Sequence, residues 1–403
     1  MSRHSFFMAV RLASCLLVSA SGFAQRTHSI SPTPIDVLYL FSQNTMQTYT
    51  IQTYDVYPSN GYAELAGTLS LEAPLGRHCS LVPGAKDHYV YLFCANGAKG
   101  SVLQVYATDL NGAPQGLPVQ TVNFKAAISQ FMIDPNGTLA YATQQAQGVG
   151  GAVKVGILAL AVDPETGMVT VPTMFIDVAT APASWSRTNP FGPPSFSLIE
   201  FNASGTELID AWGNSGHGDA TNLFFTQAVN QETGALGRPV PTVGDGYSND
   251  EHDTVTFTPT AIFSFTNYGY DGSRNKLDVY WLNATLDFSC TYTMFDACAY
   301  SGGITTDRSG NYIFFYTNAG GTEVTRVNME KKTIEPVGIP LANTIAAFSL
   351  DDRLIYSFRT LTWDGEYVIP VYAFDPATGL VTNNGTEITM LNEYASVIPA
   401  LRY

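Results

Sequence analysis

A few histidines and arginines stand in polar stretches of a chain otherwise rich in apolar and small residues, and their neighbours decide what they can do. His252 lies in Asp250-Glu251-His252-Asp253, Arg77 precedes His78, Arg187 precedes a Pro-rich stretch, and His217 sits in Gly216-His217-Gly218-Asp219. Imidazole titrates near neutrality, so a histidine oriented by a carboxylate is suited to take a proton from water. A guanidinium offers donors to a developing oxyanion or to a carboxylate. Together they suit water attack on a carbonyl, with His252 as base, Glu251 or Asp250 as its orienter and Arg77 or Arg187 as the clamp. His78 is a second imidazole, and His217, freed by its glycines, reaches toward a ligand. Taken singly, each also reads as a solvated polar loop residue. Arg353 and Arg359 are further candidates, although Arg353 falls in a turn.

Other chemistries lack their spacing. No Gly-x-Ser-x-Gly nucleophile motif occurs. The 250–253 acidic run lacks the alternating Asp pattern of a calcium loop. The cysteines form no Cys-x-x-Cys, and no histidine pair lies at ligand spacing, so no zinc site is expected. The reading calls for no metal and no cofactor.

The elements that must position these residues announce themselves through turns. Asp163-Pro164-Glu165-Thr166-Gly167, Asn230-Gln231-Glu232-Thr233-Gly234 and Asp375-Pro376-Ala377-Thr378-Gly379 close one kind of hairpin, with a looser copy at Asp109-Leu110-Asn111-Gly112. A second kind stands upstream: Asp134-Pro135-Asn136-Gly137, Asn202-Ala203-Ser204-Gly205 and Asp307-Arg308-Ser309-Gly310. Acceptor side chains followed by glycine are hairpin chemistry, and their return at roughly 50-residue intervals is the pattern of a repeated sheet. Between the turns run aromatic and β-branched strands such as Val37–Phe41, Tyr89–Phe93, Leu139–Ala142, Leu208–Trp212, Ala261–Phe265, Tyr312–Tyr316 and Leu354–Phe358. No amphipathic helix is evident.

These strands predict an all-β fold, a seven-bladed β-propeller of four-stranded antiparallel blades. The count of seven leaves six and eight open, because insertions at 148–151 and 189–194 stretch one region. Ala395–Leu401 reads as the missing first strand of the N-terminal blade, so the ring closes by pairing the C-terminal strand with the N-terminal three. Loops entering the inner strands line the mouth of such a ring. That rule is what selects Arg77, His78, Arg187 and the 250–253 cluster.

The Asp-Pro-x-Thr-Gly turn after Val371-Tyr372-Ala373-Phe374, with Asp-Pro-Asn-Gly before a Tyr-containing strand, resembles the lactonase-type seven-bladed propellers. That family includes 6-phosphogluconolactonase-like and muconate-cycloisomerase-like proteins. The likeness runs from about residue 35 to the end and implies hydrolysis of a lactone by histidine-activated water. Where family members carry Pro-Cys-His or Pro-x-His at the entry to an inner strand, this chain has Gly76-Arg77-His78-Cys79, with the order of His and Cys reversed. The family's Asp-Leu-Gly-x-Asp segment has no copy. The alternative is a non-catalytic exported propeller that binds a carbohydrate, peptide or protein through aromatic residues such as Trp185 and Tyr247.

The first 24 residues read as a signal peptide, with Arg3 and Arg11 before or within the run to Phe23 and a small-residue cleavage site at Ala24. Residues 25–34 are a linker and 35–403 the propeller. Export places the protein in the periplasm or outside the cell, with lipid anchoring at Cys15 as the minor alternative. Four cysteines remain, and an even number in an exported chain favours disulfides. Cys79 and Cys94 face each other across one hairpin, and Cys290 with Cys298 would tie one blade to the next. With 34 acidic against 19 basic residues, net −15, the chain offers no surface for nucleic acid. No membrane span is expected. A monomer acting on a small lactone or carbohydrate is the expectation.

Overall fold

The computed structural model describes residues 36–45, 48–57, 60–72, 78–85, 88–95, 100–124, 128–147, 153–170, 176–180, 195–202, 204–213, 223–238, 240–242, 254–258, 261–266, 275–281, 286–292, 301–317, 321–337, 341, 345–358, 360–362, 366–390 and 395–401. Among these, every regular element is a strand, and the strands form seven antiparallel sheets. The fold is an all-β propeller with each sheet as a blade.

Numbered from the N-terminus, and from inner to outer strand, blade 1 comprises Ala395–Leu401, Asp36–Gln43, Thr48–Tyr57 and Tyr62–Glu72. Blade 2 is His78–Pro83, Tyr89–Ala95, Ser101–Ala107 and Gln120–Phe124. Blade 3 is Ile128–Ile133, Leu139–Gln147 and Val153–Val162, with its outer position divided between Val169–Thr170 and Ile176–Thr180. Blade 4 is Ser195–Phe201, Glu207–Gly213, Leu223–Ala228 and Val240–Thr242. Blade 5 is Thr254–Phe257, Ala261–Thr266, Asn275–Trp281 and Leu286–Tyr292. Blade 6 is Ser301–Thr306, Tyr312–Thr317, Thr322–Asn328 and Thr333–Pro336. Blade 7 is Ile345–Phe348, a second strand divided into Leu354–Ser357 and Thr360–Leu361, then Tyr367–Phe374 and Val381–Thr389. The two divided strands raise the count in blades 3 and 7 to five, where four were expected. In each case one strand position is broken rather than a new position added.

The ring closes as the sequence pattern predicts. Asp36 pairs with Leu401, Tyr39 with Ile398 and Ser42 with Ala395, so both ends of the chain sit in blade 1. The inner strand Ala395–Leu401 contacts Ile345–Phe348 of blade 7 on one side and His78–Pro83 of blade 2 on the other.

Blades pack face to face, which explains the residue pattern. A second strand lies between two neighbouring sheets and is apolar on both sides, so strict alternation disappears. Val37–Phe41 and Val90–Cys94 are buried at every position. Outer strands, by contrast, face water along most of their length, as Tyr62–Glu72 does. The apolar clusters lie between blades: Tyr91, Phe93 and Leu103 of blade 2 meet Phe131, Ala140 and Leu158 of blade 3.

The turns are held by their first residue. The Asp134 carboxylate accepts the N–H of Thr138 at 2.9 Å and of Leu139 at 2.8 Å, and Asp307 accepts that of Tyr312 at 2.8 Å. In the other turn family Asp163 accepts Glu165 N–H at 2.9 Å and Asn230 accepts Thr233 N–H at 2.9 Å. These are side-chain mimics of a backbone turn, and they explain why Asp or Asn leads each copy.

The same turns dock onto the preceding blade. Tyr39 donates to Gly112 O at 2.7 Å, Tyr91 to Gly167 O at 2.9 Å and Tyr141 to Gly234 O at 3.0 Å. Each tyrosine comes from a second strand and each glycine from the next blade's outer turn. Burial pushes the Tyr91 and Tyr141 hydroxyls well above the usual phenol range, so they donate as neutral groups. Glycine is required there twice over. Gly167 has φ +64°, and a Cβ on it would lie 2.3 Å from the Tyr89 ring.

One expected link is corrected. Cys79 and Cys94 are bonded, but Cys290 carries a free thiol, half-buried and directed at the Lys332 carbonyl of the neighbouring blade at 3.8 Å. Cys290 lies on an outer strand, where the next blade's turn occupies the space beside it. Cys298 lies outside the described residues.

Gly167→Ala is expected to destabilise the protein by about 2–4 kcal/mol through strain and ring overlap, and Tyr91→Phe by about 1 kcal/mol through the lost hydrogen bond. Chemical denaturation of the two variants measures both.

Candidate functional site

Contacts among turns define the two faces of the ring. Gly137 of blade 3 lies against Ala85 of blade 2, Gly205 of blade 4 against Pro135 and Asn136 of blade 3, and Gly310 of blade 6 against Thr258 of blade 5. The Asn136 amide donates to Gln231 Oε1 at 2.5 Å, and the Gln231 amide donates in turn to Gly205 O. The turns between first and second strands therefore share one face. Because strands alternate in direction, every inner strand starts at the opposite face, and every link between second and third strands leaves from there.

The segments that carry most of the candidate site residues join strand ends on that opposite face. The 73–77 segment runs from the end of Tyr62–Glu72 to the start of His78–Pro83, 181–194 from Ile176–Thr180 to Ser195–Phe201, and 243–253 from Val240–Thr242 to Thr254–Phe257. The 214–222 segment joins Glu207–Gly213 to Leu223–Ala228. Arg77, Arg187, His217, Asp250, Glu251 and His252 lie in these segments, outside the described residues, as do Trp185, Tyr247 and Arg359. His78 is the first residue of an inner strand and pairs with Ala95. Arg353 is exposed and lies 3.8 Å from Asp351 on the turn face, away from the loops.

The described residues show how the loop face is braced. Cys79 pairs with Cys94 in register, Cα to Cα 4.1 Å, and their disulfide ties the start of the inner strand to its neighbour one residue from His78. Phe41 and Tyr49 stack with centroids 5.1 Å apart, and both belong to the apolar cluster that Cys94 completes. Ser101 accepts the Ile128 N–H at 3.0 Å, fixing where the inner strand of blade 3 begins. Asn44 donates to Thr50 at 2.7 Å and closes the link between second and third strands of blade 1. No group of three or more His, Cys, Asp or Glu poised to hold a metal occurs among the described residues.

Perturbed carboxylates instead gather on the turn face. Burial, with the nearby Asp351 charge, raises Asp36 to about 6. Burial also raises Asp352 to about 6, and raises Asp307. Sequence reasoning missed this set, although Arg308 beside it stood within a quoted turn. A charged residue in a turn looks solvated until the neighbouring blade is placed on it.

No protein-family model and no curated protein matches the chain. Solved structures do. A putative 6-phosphogluconolactonase from Bacteroides uniformis is 15% identical with a TM-score of 0.57, covering 91% of this chain and 100% of that one. A periplasmic gluconolactonase from Pseudomonas aeruginosa is 14% identical with a TM-score of 0.58, covering 92% and 99%. A putative 6-phosphogluconolactonase from Bacteroides fragilis is 16% identical with a TM-score of 0.55, covering 89% and 96%. The chain thus shares its fold with lactonase-type propellers over nearly all of its length.

Replacing Cys79 and Cys94 together by alanine is expected to cost about 3 kcal/mol of unfolding free energy, given their sequence separation of 15. The check is denaturant unfolding with and without reductant. Reductant should weaken the parent and leave the double variant unchanged.

Proposed function

We propose that this chain is an exported lactone hydrolase whose site is the loop face of the propeller. The observation that carries the reading is that the strand ends flanking the three segments with its candidate base and clamps lie on one face. The shared propeller fold supports it, since the similar structures named above include gluconolactonase-type proteins. The Cys79–Cys94 bond and the N-terminal leader pattern support export to an oxidising compartment.

In this reading His252 takes a proton from water as the oxygen attacks the lactone carbonyl, with Glu251 or Asp250 holding the imidazole. Arg77 and Arg187 receive the oxyanion and any substrate carboxylate or phosphate. The ring C–O bond then breaks, and the departing alkoxide takes the proton back from His252. His78 and His217 contact the substrate. General-base catalysis of this kind contributes about 10²–10⁴-fold, and oxyanion donors a comparable factor. No metal is needed for any of these steps.

The test is base uptake at constant pH by the chain lacking its leader, on five- and six-membered lactones including phosphorylated and unphosphorylated sugar lactones. Turnover is expected above the spontaneous rate, falling about 10²–10⁴-fold in His252→Ala. kcat/KM should fall on the acid side of the profile as the imidazole becomes protonated, and His252→Ala should lose that limb. Absence of turnover on every lactone would shift the reading to a binding module built on Trp185 and Tyr247.

A further inference from the structure

The tyrosine contact between neighbouring blades is not repeated where the ring closes. Tyr356 occupies in blade 7 the place that Tyr39, Tyr91 and Tyr141 occupy in theirs, and the matching outer turn of the next blade, Asn60-Gly61, lies against Leu354, Val371 and Asn384. The Asn60 carbonyl is instead taken by Asn384 Nδ2 at 2.8 Å and Thr386 Oγ1 at 3.0 Å. Tyr356 is 0% exposed, and its hydroxyl has no hydrogen-bond partner.

Asp36, at the head of the chain's first strand, shares this seam. It is 3% exposed; the Leu350 N–H serves its carboxylate, yet Oδ2 has no partner. Facing it are Asp351 on the blade 7 turn, Arg308 on the blade 6 turn and the Tyr356 hydroxyl. Asp352, at φ +56°, accepts the Arg308 N–H at 3.1 and 3.2 Å and faces the buried Asp307. Arg353 points outward. On the strands paired with Asp36 its partners are Val56 and Leu401, which carry no charge, and Arg402 lies outside the described residues. Arg308 faces Asp352, Asp36 and Asp351 together, and its single charge is shared among three carboxylates. An ionised Asp36 is thus left with one bare oxygen inside the junction, which is costly.

We propose that the closing seam is a proton-responsive latch: protonation of Asp36 tightens the junction of blades 6, 7 and 1, and its ionisation loosens it. A protonated carboxyl carries a donor that the carboxylate lacks, and it no longer opposes Asp351. Asp36 titrates at about 6 in the folded chain, against about 3.9 for an unfolded aspartate. The added stability is therefore complete below about pH 4 and is lost as pH rises through about 6. The second strands that carry Tyr91 and Tyr141 begin instead at Tyr89 and Leu139.

The test is hydrogen exchange of the whole protein at pH 5 and pH 8, corrected for intrinsic rates, on the Val37–Phe41 amides. The pH 8 to pH 5 ratio of opening is expected to be at least about tenfold, and to fall about tenfold in Asp36→Asn. Asp351→Asn, on the exposed turn, should move the loosening to lower pH by removing a repelling charge. A parent ratio near one would overturn the proposal without recourse to any variant. An unchanged ratio in Asp36→Asn, or an unchanged midpoint in Asp351→Asn, would overturn it as well.

Discussion

Apolar packing between blades holds the ring, and at three junctions a buried tyrosine hydroxyl donating to the next blade's turn gives that packing direction. Sheets that meet through apolar side chains attract one another without direction, and such faces can slide. The bonds from Tyr39, Tyr91 and Tyr141 remove that freedom, because each fixes a second strand against one carbonyl oxygen of its neighbour. The glycine at that carbonyl is then obligatory, as is the Asp or Asn that holds the turn in shape. Strand, tyrosine, glycine and acidic residue form one repeated device. It recurs at the first three blade junctions.

The device also divides labour between the faces. Short, internally bonded turns meet one another around one side and leave little room for variation. The opposite side receives the longer connections, where insertions such as 181–194 and 243–253 can lengthen without disturbing a blade. Rigid strands that begin under a disulfide at Cys79 and under Ser101 present those connections at fixed places. Binding and chemistry belong on such loops, carried by a scaffold that does not change.

Much of this was legible before any coordinates. Turn chemistry is local, so Asp134–Gly137 and Asp163–Gly167 could be read as hairpins, and the second strands between them followed. The C-terminal strand's place in blade 1 followed from a missing partner near Tyr39. What remained hidden was contact between blades. Nothing in the residue pattern distinguishes Tyr141, which reaches a neighbouring turn, from Tyr356, which does not. Pairing Cys290 with Cys298 rested on proximity along the chain, and packing against the Lys332 turn overrides it. Nothing in the sequence singled out Asp36, because its surroundings come from turns more than 270 residues away. The candidate bases and clamps were chosen by where loops enter inner strands, and they lie outside the described residues.

The central claim is that the loop face takes a lactone. The most direct measurement is hydrogen exchange with and without a six-membered sugar lactam, an unreactive mimic of a sugar lactone. The account predicts slowed exchange at the starts of the inner strands, Cys79–Leu81 and Val255–Phe257, with the Asp134–Gly137 and Asp163–Gly167 turns unchanged. Protection confined to those turns, or absent from both faces at saturating lactam, would contradict it.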